Sequence, residues 1–131
     1  IHSFTPQPKE GGARLTDIGL LVKDDEESAA HLRQNFMRLE RDFLVEINQP
    51  YSAYDLNYTI DRHVGPRRLR HLAIEIRQDH IETEEKAKDI AAVLADRLAP
   101  IIDGTFMPLP ASEPLGCLNE QVKGDKHARD N

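Results

Sequence analysis

The run Ile18–Val22 (IGLLV) is apolar throughout, has the length of a strand and is closed by charge on both sides, Asp17 before it and Lys23 after it. Unbroken apolarity of that length predicts a strand buried on both faces, as in parallel sheets covered by helices. The neighbouring segments agree. Asp24–Glu27 gives an acidic helix start suited to the positive end of a helix dipole. Leu32, Phe36, Leu39 and Phe43 then recur at spacings of four, three and four, which predicts one stripe on an amphipathic helix of about four turns. Leu44–Ile47 (LVEI) and Leu72–Ile76 (LAIEI) read as further strands, and Ile1–Thr5 as a short strand end.

Thr83 can N-cap a second helix with Glu84 and Glu85 in its first turn. Ala87, Ile90, Ala91, Leu94 and Leu98 form its expected buried face, and Pro100 is expected to end it. This order of elements is that of an α/β layered domain with a largely parallel sheet flanked by helices. From Asp103 onward the sequence is rich in proline and glycine and has no regular period. The expected organisation is therefore a body over residues 1–102, incomplete at its N-terminal edge, and a poorly structured tail over 103–131.

Composition narrows the function classes. Charged residues make up 31% and apolar ones 39%, a normal globular balance. The formal net charge of -6 argues against a general nucleic-acid binder, which needs a basic face. No apolar run approaches the roughly 18–20 residues of a membrane span. One cysteine, Cys117, excludes an internal disulfide framework and fits a reducing cytoplasm.

Glu75 is the most informative residue. It lies between Ile74 and Ile76 near the end of a strand, and a carboxylate desolvated there without a partner costs several kcal/mol. Ligands of open α/β sheets bind just beyond the carboxyl ends of the strands, where Glu75, Arg77 and Asp79 would project. The alternative is a strand-end glutamate facing solvent or paired with an arginine. His2 sits at the mouth of another strand; one histidine cannot make a catalytic zinc site, which takes three protein ligands. The segment Arg62–Arg77 carries Arg62, Arg67, Arg68, Arg70 and Arg77 and no lysine. Guanidinium groups bind carboxylates bidentately, so this segment reads either as a pocket for an acidic small molecule or as a solvated loop offsetting neighbouring acids. His63 is the better site candidate of the two histidines flanking it. The loop from Asn48 to Asp55 brings amide, hydroxyl and carboxylate groups together after a strand, with Asn48, Tyr51 and Ser52 as candidates; the same residue types are plain turn formers.

HSFTP (2–6), NQPYS (48–52), NYTIDRH (57–63) and HLAIEIRQDHI (71–81), in this order and spacing, resemble the C-terminal half of N-formylglutamate amidohydrolases. The resemblance covers about residues 1–100. More distantly, His-Ser at a strand end and Glu-apolar-Arg with an acid close behind are similar to two motifs of zinc carboxypeptidases. It implies a phosphorylase/hydrolase-like α/β fold and zinc-dependent hydrolysis of an N-formyl amide, typically N-formyl-L-glutamate in histidine breakdown. It also implies His2 as a zinc ligand, Glu75 as the proton shuttle, and Arg77 and Arg67 as holders of the substrate's carboxylates. The remaining metal ligands would come from an N-terminal half outside these residues, so the 131-residue chain alone is expected to lack a complete zinc site. Two alternatives stand beside this: an amidohydrolase for another N-acyl amino acid or peptide, and a non-catalytic anion-binding domain.

Overall fold

A computed structural model describes residues 1–39, 43–64, 67 and 69–105. Four strands form one sheet: β1 His2–Phe4, β2 Ile18–Leu21, β3 Val45–Ile47 and β4 Ala73–Arg77. Their order across the sheet is β1-β4-β2-β3. The outer pairings, β1 with β4 and β2 with β3, are parallel, and the central pairing of β2 with β4 is antiparallel. The class is α/β with a largely parallel sheet. As its unbroken apolarity predicts, every residue of β2 is buried.

Helices α1 (Glu26–Met37) and α3 (Glu84–Ile102) cover one face. The core lies between them and that face. Ile18, Leu20, Val45, Ile74 and Ile76 come from the strands, Ala29, Leu32 and Phe36 from α1, and Ile90 and Leu94 from α3. Both helices start on side-chain caps, the second on the Thr83 expected from the sequence. The Asp25 carboxylate accepts the Ser28 N–H at 3.2 Å, and the Thr83 hydroxyl accepts that of Lys86 at 3.2 Å, each satisfying an orphan donor of the first turn. Asp25 also accepts the His71 N–H at 2.9 Å, which ties the approach to β4 onto the start of α1.

The structure corrects three details. The first helix stops at Met37, so Leu39 and Phe43 reach the core from beyond its end instead of extending its stripe; residues 40–42 lie outside the described residues. Pro100 does not end α3, which runs to Ile102. Ile101 packs against the core, and the Asp103 N–H bonds the Ala99 carbonyl at 2.9 Å, so burial and capping hold the last turn despite the missing donor. Ala91 is exposed on α3, whose buried positions are Ile90 and Leu94. A short helix over Tyr58–His63, α2, has no buried residue and therefore no apolar stripe to announce it. Cys117 and most of the expected 103–131 tail fall outside the described residues.

Candidate active site

Side chains alternate across a strand, so the residues flanking the core positions point to the other face. Register lines them up. His2 pairs with Glu75, Glu75 with Gly19, and Gly19 with Glu46, one row across all four strands. Two residues further along, Phe4 pairs with Arg77 on the same face. Among the described residues this face carries no packed helix of the kind that covers the other. It carries chemistry.

Glu75 is only 7% exposed although it lies opposite the apolar core. Burial pushes its carboxyl above the usual carboxylate range, against the pull of the nearby His2 charge. Among the described residues no side-chain donor bonds it. Its cover includes a chain segment the sheet admits only because residue 19 has no side chain: a Cβ on Gly19 would stand 1.9 Å from the Gln49 carbonyl oxygen and 3.4 Å from the Glu75 Cβ. The loop after β3 therefore crosses the sheet directly over Gly19, beside Glu75. Glycine inside an apolar strand is the signal of such an approach, and it was there to be read in IGLLV.

The loop is buckled in place by Asn48. Its backbone takes a positive φ of 52°, which asparagine tolerates. Its side-chain oxygen accepts the N–H groups of Val22 and Ala53, each at 3.1 Å, and its amide donates to the Val22 carbonyl at 2.9 Å. Ser52 closes the following turn, its hydroxyl accepting the Tyr54 N–H at 3.2 Å. These two candidates hold the loop. Tyr51 faces Phe4 edge-on with ring centroids 6.5 Å apart, which carries it onto the Glu75 face. A cleft of about 420 Å³ opens where β2 and β3 end, lined by Arg33, Glu46, Ile47, Asn48 and Gln49 among others.

Arg77, the last residue of β4, is engaged by acids and carbonyls of its own chain. Its guanidinium grips Asp79 with two bonds, at 2.7 and 3.0 Å, and Asp17 at 2.7 Å. Its remaining nitrogen donates to the carbonyls of Leu15 at 2.7 Å, Thr16 at 3.3 Å and Arg14 at 3.4 Å. These partners make Arg77 a clamp that holds the entry to β2 onto the end of β4. Asp17 also receives His80 at 2.7 Å, extending the same clamp. Arg70 pairs with Asp25 and Glu27 at 3.1 and 2.6 Å. His63, in the last turn of α2, and Arg67 are exposed, and neither side chain touches the Glu75 row among the described residues. Arg68 lies outside those residues. The structure thus brings His2, Glu75 and Tyr51 to one face, with Arg77 two residues beyond Glu75 on that face and engaged by Asp17 and Asp79, while His63 and Arg67 are exposed. Sequence reasoning passed over Gly19, Glu46 and Arg14.

His2 is exposed and offers one imidazole beside Glu75. Among the described residues no group of three or more His, Cys, Asp or Glu side chains could hold a metal ion. A catalytic zinc takes three protein ligands. These residues fit one ligand of such a centre and not a whole one. Among the described residues, no helix is long and apolar enough to cross a membrane.

The family model for N-formylglutamate amidohydrolase matches residues 1–82. No curated protein matches the chain. Among solved structures, the crystal structure of the gene product Atu2144 from Agrobacterium tumefaciens is similar at 29% identity and a TM-score of 0.70. The match covers 79% of this chain and 40% of that one, so the chain spans less than half the length of its structural neighbour.

Proposed function

Because the chain belongs to the N-formylglutamate amidohydrolase family, we propose that the full-length protein hydrolyses the amide bond of an N-formyl amino acid, N-formyl-L-glutamate first among them, with Glu75 as general base. The observation that carries this is the position of Glu75: a buried carboxylate on a central strand, without a side-chain donor among the described residues, on the sheet face away from the core and beside His2. A structural ion pair would need a cation on its oxygens, and the nearest clamp, Arg77, is spent on Asp17 and Asp79.

The reaction adds water across the C–N bond and gives formate and the free amino acid. Glu75 takes the proton from the attacking water and passes it to the leaving nitrogen, and its strand mount holds it within hydrogen-bond reach of both. Zinc is the expected metal, with His2 as one ligand and the others from the N-terminal half of the enzyme; when bound it polarises the formyl carbonyl and favours ionisation of the water. The Gln49 carbonyl, lying over Gly19, covers the strand position next to Glu75. The compartment proposed is the cytoplasm, which the single cysteine suits.

The test is formate release by the full-length protein from N-formyl-L-glutamate, with N-acetyl-L-glutamate and a formylated dipeptide as competing substrates, before and after chelation. Chelator-sensitive formate release supports the proposal. Preference for another acyl group would move the substrate within the class. Tight binding of dicarboxylates without any hydrolysis would favour an anion-binding domain instead.

A further inference from the structure

The face that holds Glu75 carries a second group that the mechanism above does not use. Arg14 lies in the segment between β1 and β2, with its backbone fixed at both ends of the residue. Its N–H donates to the Pro6 carbonyl at 2.9 Å, and its own carbonyl accepts from Arg77 at 3.4 Å. Its guanidinium stands over two aromatic rings, 4.8 Å from the centroid of Tyr51 and 5.8 Å from that of Phe4. One terminal nitrogen donates to the Tyr51 hydroxyl at 2.9 Å and to the Thr5 carbonyl at 3.3 Å. The Nε and the other terminal nitrogen have no partner among the described residues. No carboxylate of those residues pairs with Arg14 either, in a chain of net charge -6 where Arg70 and Arg77 each take two.

A partly buried, aromatic-backed guanidinium with a free edge is built to receive a planar anion. Its distance from Glu75 fits one. Phe4, beneath Arg14, is two residues beyond His2 on the same face of β1, and a strand rises about 3.3 Å per residue, so the rings start roughly 6–7 Å from the His2–Glu75 row. In an N-formyl dicarboxylic amino acid the formyl carbon is five bonds from the side-chain carboxylate, roughly 6 Å when extended. Phe4 ends β1 and pairs with Arg77, the last residue of β4, so Arg14 lies over the carboxyl ends of this parallel pair, where α/β sheets bind ligands, with Glu75 two residues back along β4.

We propose that Arg14, steadied by Phe4 and Tyr51, binds a carboxylate of the acidic substrate and sets the preference for it over neutral analogues. This rests on the amidohydrolase function proposed above. It transfers to Arg14 the role that the sequence had suggested for Arg77 and Arg67.

The experiment measures binding by calorimetry to the full-length protein, in the Glu75→Gln background so that ligand is not consumed. The probes are N-formyl-L-glutamate and its diamide, which keeps the formyl group and lacks both carboxylates. With Arg14 intact the dicarboxylate binds far more tightly than the diamide. Arg14→Lys, which keeps the charge but loses the planar fork, should weaken the dicarboxylate at least about 10-fold, the low end for a charge-assisted hydrogen bond, and leave the diamide unchanged. Equal weakening of both ligands, or none, overturns the proposal and makes Arg14 a fastener of the Tyr51 loop. Should Arg14→Lys fail to fold, Tyr51→Phe removes only the hydroxyl that orients the guanidinium; an unchanged preference for the dicarboxylate there overturns the proposal as well. Arg14-dependent binding in a wild-type protein that releases no formate would retain the carboxylate site and discard the amidohydrolase function.

Discussion

A methyl group at position 19 collides with backbone. In Gly19→Ala the new Cβ falls 1.9 Å from the Gln49 carbonyl oxygen and 3.1 Å from its carbon, where no Cβ sits closer than about 3.0 Å. The loop or the strand must therefore yield by about 1.1 Å. Neither can do so freely, because Asn48 bonds the loop to Val22 in both directions and β2 is paired on both sides. Forcing atoms into a filled site costs about 1–3 kcal/mol, and the upper half of that range applies where the obstacle is backbone. For a domain of this size the loss corresponds to a fall in Tm of roughly 4–12 °C. Gly12→Ala is the matched control, since a Cβ there meets nothing within 4 Å, and its effect should stay within about 0.5 kcal/mol. Thermal unfolding of both variants, with turnover on the same samples, is the assay. Turnover should drop in Gly19→Ala alone, because the displaced segment lies beside Glu75. A Gly19→Ala protein as stable and as active as the wild type would refute the crossing of the loop over Gly19.

Arg77→Lys should lower stability by about 1–3 kcal/mol, since the bidentate grip on Asp79 is lost and the carbonyls of Arg14, Leu15 and Thr16 lose their donor; denaturant melts measure it, and any loss of activity should be the same for acidic and neutral substrates. Asp25→Asn should cost about 0.5–1.5 kcal/mol at neutral pH, because asparagine can cap α1 but the charge that holds the His71 N–H and Arg70 is lost. Burial alone would raise the Asp25 carboxyl, but its bonds from His71, Ser28 and Arg70 outweigh it and hold the group below its ordinary value. A depressed folded pKa gives stability that is complete above the unfolded value of about 3.9 and is lost as the pH falls through the folded one. The difference in Tm between wild type and Asp25→Asn should accordingly persist down to about pH 4 and shrink below it; a difference that grows as the pH falls would contradict the sign.

Strands and long helices were legible because their residues bury a pattern or mark an end: the apolar run of β2, the isoleucines flanking Glu75, the acidic start at Asp24–Glu27, the cap at Thr83. What was not legible depends on contacts across the chain. The periodicity of Leu32, Phe36, Leu39 and Phe43 could not show that the helix ends at Met37, because the last two residues reach the same core from outside it. Tyr58–His63 forms a helix that buries nothing, so no stripe marks it. The antiparallel join of β2 with β4 leaves no mark in strand composition. At the site, Glu75 and His2 stood out as polar residues in apolar or strand-end settings. The partners of Arg77 were not legible, because Asp17 and the carbonyls of residues 14–16 reach it only through the fold. Arg14 escaped notice because its aromatic partners are a strand away and 37 residues along the chain.

Steady-state kinetics of Glu75→Gln in the full-length protein test the general-base role most directly. Glutamine keeps the shape of the side chain and cannot take the water's proton. The fold and the metal content should be retained, the turnover number should fall at least about 100-fold, the low end for acid–base catalysis, and KM should move little because the lost interaction belongs to the transition state. Near-normal turnover on N-formyl-L-glutamate, in a variant with its metal in place, would contradict the assignment of Glu75 as the base.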